Sequence, residues 1–85
     1  MHEGSLVAGL VAKVNEAAGD APVAEVWITL GALTSVSGSH LAEHFATAVA
    51  GTELAKARLV LDRGEDVADP RAQEVILEAV VVSDH

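Results

Sequence analysis

The 85-residue chain has no cysteine and no tyrosine, and its only aromatic residues are Trp27 and Phe45. Without cysteine there is no disulfide, no thiolate zinc site, no iron–sulfur ligation and no thiol nucleophile, so any metal must be held by nitrogen and oxygen. Basic side chains are scarce as well: five Lys and Arg stand against thirteen Asp and Glu, a formal net charge of −8. A nucleic-acid binder needs a basic face to release counterions from phosphates, so nucleic acid is set aside as a partner. Long apolar runs are missing too. The first, "SLVAGLVA", follows His2 and Glu3 in place of a basic segment and is closed by Lys13 and Glu16, which makes a poor secretory signal and too short a span for a bilayer. The expectation is a cytoplasmic protein with no membrane partner. No Gly-rich phosphate loop, nucleophile elbow or pair of carboxylates in an apolar setting is present, and nothing in the residues points to an enzyme.

What the chain does have is aliphatic bulk. Hydrophobic residues make up 51% of it, nearly all Val, Leu, Ile and Ala. A domain of this size buries only about 60–65% of the surface its unfolded form exposes, so one small, closely packed core is expected.

Leu6, Val7, Leu10, Val11 and Val14 recur at three- and four-residue spacing, which predicts an amphipathic helix from a Ser5 N-cap to about Ala18, stopped by Gly19. After a turn at Asp20 to Pro22, β-branched and aromatic residues predict a largely buried strand over 23–33. "TSVSGS" supplies turn and capping residues, with Ser37 or Ser39 able to cap a second helix over 40–50 that carries Leu41 and Phe45 inward and ends at Gly51. Alternation of Leu54, Ala57, Leu59 and Leu61 predicts a second strand within 53–63. An acidic loop follows, and 74–82 forms a third strand, apolar enough to lie in the middle of the sheet or against the helices. The order is α-β-α-β-β. A helix joining the first two strands implies a right-handed parallel crossover. The expected fold is α+β, a two-layer arrangement of a three-stranded mixed sheet with both helices on one face, in a single domain over 1–85.

Three places could hold a metal. "MHEGSL" sets the Met1 α-amine, the His2 amide and the His2 imidazole next to one another. An α-amine with a pKa near 8 is only partly protonated at neutral pH, and once it binds a cation the adjacent amide is placed to lose its proton and join the chelate. Ni(II) and Cu(II) reward that square-planar nitrogen geometry, and Glu3 could add an oxygen or orient the ligands. Because His2 is bulky, removal of the initiator methionine is not expected. "HLAEH" at 40–44 matches the pattern in which two helical histidines bind zinc and a glutamate activates water, but a chain this short offers no convincing third ligand or peptide cleft. His40 and His44 therefore read as a polar helix face, with auxiliary metal binding as the functional alternative. Glu65, Asp66 and Asp69 lack EF-hand spacing and read as a solvated loop, and His85 reads as a chain end.

Taken together, "MHEGSL" and its helix, "ITLGALTSVS", "HFATAVAGTELAKARLVL" and "EVILEAVVVSD" resemble the hydrogenase nickel-incorporation protein family, HypA. Gly31, Phe45, Gly51, Thr52, Ala57 and Leu59 fall in the family's register without a gap. The resemblance implies a nickel metallochaperone that binds Ni(II) through Met1, His2 and Glu3, with the family's maturation GTPase and a hydrogenase large subunit as partners and a homodimer left open. It also implies a departure. Family members insert a zinc module with two cysteine pairs between the second and third strands, whereas this chain has only "DRGEDVADPRA" at 62–72, so no zinc is expected; Ser37 stands where members often carry an acid. The competing reading is a protein-interaction module that keeps the fold without delivering metal.

Overall fold

The computed structural model describes residues 3–83, with side chains placed from residue 4 onward. Along the chain come α1 (Glu3–Ala18), β1 (Val23–Leu30), α2 (Gly38–Val49), a single 3₁₀ turn (Glu53–Lys56), β2 (Arg58–Arg63) and β3 (Val75–Val82). This is the expected α+β order, and the mixed sheet is present.

α1 buries Val7, Leu10 and Val14 as one stripe, with Leu6 and Val11 at its margin. It begins before Ser5, which therefore lies inside the first turn and is not the N-cap. The apolar stripe fixes which face is covered, but not how many solvated residues precede it. At the other end Gly19 takes φ +60° and donates its N–H to the Asn15 carbonyl at 3.0 Å, closing the helix in the left-handed conformation that glycine adopts without steric cost.

β1 is the central strand of the order β2-β1-β3, parallel to β2 and antiparallel to β3. Period-two alternation sends Val26, Ile28 and Leu30 into the core against Leu41, Phe45 and Val49 of α2 and the α1 stripe. Here one sequence expectation is corrected and another is decided. β1 stops at Leu30, three residues early, because a loop crosses the chain there. β3 is an edge strand and not the middle one, and it packs against α1, the other place its apolar run allowed. Its run "VILEAVVV" looks continuously apolar because an irregularity in pairing skips Glu78: Ile28 faces Leu77 while Trp27 faces Ala79. The extra residue restores phase, so that Val75, Leu77 and Val80 all pack against the core.

The segment 53–57, expected to be strand, is instead the 3₁₀ turn. Thr52 Oγ1 donates to the Val49 carbonyl at 2.6 Å and accepts the Leu54 N–H at 3.2 Å, turning the chain so that Leu54 enters the core before β2 begins.

β2 and β3 finish and start, respectively, on either side of Leu30, which pairs with Arg63 and with Val75. The connecting residues 64–74 need to cross only two strand spacings, about 10 Å. They do so in contact with the sheet. Gly64 N–H donates to the Leu30 carbonyl (2.8 Å), Gly31 N–H to Glu74 (2.8 Å) and Leu33 N–H to Ala72 (2.7 Å), while the Ala72 side chain is buried. Asp66 and Asp69 each accept a backbone N–H two residues on, at 2.9 and 2.8 Å, so these carboxylates build turns within the loop.

Candidate metal centre

α1 descends into β1, and α2 descends through the 3₁₀ turn into β2, which runs parallel to β1. The helices are therefore parallel, with Val11, Asn15 and Ala18 lining the same groove as Ala48 and Thr52 at their C-terminal ends. Their N-terminal ends lie together at the other end of the molecule, where β1 and β2 finish. Glu3 opens α1 there, and Gly38 to Leu41 open α2.

The approach to α2 is held by Arg63. Its guanidinium donates to the Gly31 carbonyl (Nη1, 3.2 Å) and to the Val36 carbonyl (Nη2, 2.8 Å), tying the turn ahead of the helix to the end of β2. Ser37 occupies the N-cap position, as expected, with φ −80° and ψ 135°. Its hydroxyl, however, pairs with the Ser39 hydroxyl at 3.0 Å and makes no capping bond to the helix. Loss of both Arg63 bonds in Arg63→Ala is expected to cost about 1 kcal/mol and to loosen residues 34–37, measurable as faster amide exchange there.

His40 and His44 lie one turn apart on α2, both exposed, next to the buried Leu41 and Phe45. Among the described residues no group of three His, Cys, Asp or Glu side chains is gathered to hold a metal ion. The pattern at 40–44 therefore has no third ligand among them. Met1 and His2 lie outside the described residues, as do the Glu3 side chain and His85.

Trp27 lies in the strand that the sequence predicts to be largely buried, yet it points away from the helices and is exposed. The alternation of Val26, Ile28 and Leu30 around it already assigns it to the opposite face.

Comparison with known proteins adds to this geometry. The family model described as hydrogenase/urease nickel incorporation, metallochaperone, hypA matches residues 1–71. The chain belongs to the HypA family. The match takes in the opening Met1-His2-Glu3 and runs through both helices and the first two strands, so the family resemblance of the sequence holds. The solution structure of the Ni metallochaperone HypA from Helicobacter pylori superposes with a TM-score of 0.80 at 18% identity, covering 96% of this chain and 97% of that one, and shows the shared fold, β3 included. No curated protein matches the chain in sequence. HypA proteins are nickel metallochaperones, and the family serves nickel incorporation into hydrogenase and urease. This HypA chain has no cysteine from which the family's thiolate zinc module could be made. No described helix is long and apolar enough to cross a membrane.

Proposed function

We propose that this HypA-family chain is a single nickel-binding-type domain, residues 1–85, that carries Ni(II) at its amino terminus and delivers it in the cytoplasm without catalytic turnover. The Met1 amine, the His2 amide nitrogen and the His2 imidazole are the nitrogen ligands, and Glu3 adds or orients an oxygen. His40, in the first turn of α2, and His44, one turn further along, are the candidate auxiliary ligands. The observation that carries the reading is the family match beginning at residue 1, on a fold whose two helices start at the same end. The expected partners are the nickel-enzyme maturation GTPase and the large subunit of a hydrogenase. A shallow chelate at a chain end suits a carrier, because an acceptor can reach the metal and displace its ligands one at a time. Zinc takes no part.

The loop at 64–74 supports a working domain in the absence of the zinc module. It spans a short gap, buries Ala72 and hydrogen-bonds across the end of β1, and closure entropy grows only logarithmically with loop length.

A Ni(II) titration followed by calorimetry and visible absorption tests the proposal. Protein with a free Met1 amine is expected to bind one equivalent with a square-planar spectrum. A form carrying several Gly/Ser residues ahead of Met1, enough to keep the new amine from chelating together with His2, is expected to lose that spectrum. Equal binding by both forms would move the site away from the terminus and favour the interaction-module reading.

A further inference from the structure

The helices cover one face of the sheet and leave the other open. At its centre stands Trp27 on the middle strand, paired with Val60 on β2 and Ala79 on β3. Trp27 is 42% exposed and Val81 on the same face 41%. The sole tryptophan of a chain with two aromatic residues is thus spent on the surface, while Phe45 serves the core. It is also held in place: Trp27 Nε1–H donates to Glu25 Oε1 at 2.9 Å, which fixes the indole across the face. A groove of about 510 Å³ runs beside it, lined by Trp27, Thr29, Val60, Asp62 and Glu78. A rigid aromatic at the centre of a half-apolar patch is the composition of an interface hot spot, where tryptophan is enriched.

The rim of this face indicates what covers it. Glu25, Asp62 and Glu78 surround the patch; Arg58 lies 4.0 Å from Glu25, and Arg71 lines the adjoining pocket with Thr29, Ile76 and Glu78 among acidic neighbours Glu65, Asp66 and Asp69. Among the described residues neither Asp62 nor Glu78 is paired with a cation. A second copy of a chain of net charge −8 would set these carboxylates against their own kind. A surface ringed by Lys and Arg would instead meet complementary potential and be steered onto the patch.

We propose that the outer sheet face, centred on Trp27, docks a protein partner whose contact surface has an apolar centre and a basic rim. Thr29 and Asp62 lie toward the end of β1 and β2 at which α1 begins, so a partner seated there reaches the end of the fold where α1 starts. The inference rests on the carrier reading for the identity of the partner to try, the purified maturation GTPase.

Calorimetric titration of that GTPase with the wild-type chain, Trp27→Ala and the Asp62→Lys/Glu78→Lys pair tests it, with circular dichroism confirming that each variant is folded. Trp27→Ala is expected to weaken binding at least tenfold. The charge-reversed pair, which keeps Trp27, should weaken it comparably and remove its dependence on salt. Nickel stoichiometry should be the same in all three. Equal affinity for all variants, or no binding by the wild type, would overturn the proposal. So would a wild-type dimer in sedimentation that Trp27→Ala abolishes, since a second copy would then be the occupant. Absent nickel binding with Trp27-dependent docking intact would count against the carrier reading alone.

Discussion

Gly31→Ala is expected to lower the melting temperature by at least about 10 °C, a loss of about 3 kcal/mol for a domain of this size. The backbone of Gly31 is not in a left-handed conformation, so the requirement is one of space. A Cβ added there would collide with the Ala72 carbonyl oxygen, lie 2.5 Å from the Ala72 carbonyl carbon and lie 2.8 Å from the Arg71 carbonyl oxygen. All three are backbone atoms of the crossing loop and cannot swing aside as a side-chain tip would. Relief requires the loop to lift. That would break the bonds from Gly31 to Glu74 and from Leu33 to Ala72 and expose the buried Ala72 methyl. Gly64→Ala is the matched control, since its added Cβ would meet its nearest neighbour at 3.7 Å; it should change the melting temperature little. If the two variants melt together, the loop is not seated against β1 as described.

His2→Ala is expected to reduce Ni(II) affinity by more than about a hundredfold while leaving the fold unchanged. Loss of a group that merely orients a ligand typically costs about 10–100-fold, and the imidazole is proposed as a ligand itself. The pH dependence should carry the same assignment. Binding frees a proton from the amide, and one each from the amine and the imidazole wherever these are protonated in the free protein. The logarithm of affinity should therefore rise with pH, most steeply at the acid end where all three groups release a proton. His2→Ala removes the imidazole proton from this count, so the steepest limb should flatten by one. Calorimetry in buffers of different ionisation enthalpy measures these protons directly. If His2→Ala binds nickel as the wild type does and with the same proton release, the terminal chelate is wrong.

The elements themselves were legible because their apolar spacing is local. Val7, Leu10 and Val14 announce α1, and Leu41 and Phe45 announce α2, at the period of a helix. β3 was legible as a strand, but its place was not. Whether "VILEAVVV" lies at the centre or the edge depends on pairing with residues some fifty positions earlier and on an irregularity at Glu78 that no local pattern announces. The 3₁₀ turn at 53–56 was hidden because Leu54, Ala57, Leu59 and Leu61 keep an alternating look. The side chain of Thr52, bonding on both sides, overrides it. Gly31 was legible as a family residue. Its reason was not, since the Ala72 carbonyl it accommodates is forty-one positions away. For the metal centre, the sequence supplied the proposed donor set, and the parallel run of the helices adds which end of α2 lies at the end where α1 begins.

That parallel run has an electrostatic consequence for the cargo. Each helix presents the positive end of its macrodipole where its free N–H groups point, and the first turn of α2 carries no acidic residue to offset it. A divalent cation brought to that end of the fold would meet the uncompensated positive end of α2, worth about 0.3–1 kcal/mol against it near the surface. The scaffold would thus keep a bound metal from being held too tightly to pass on.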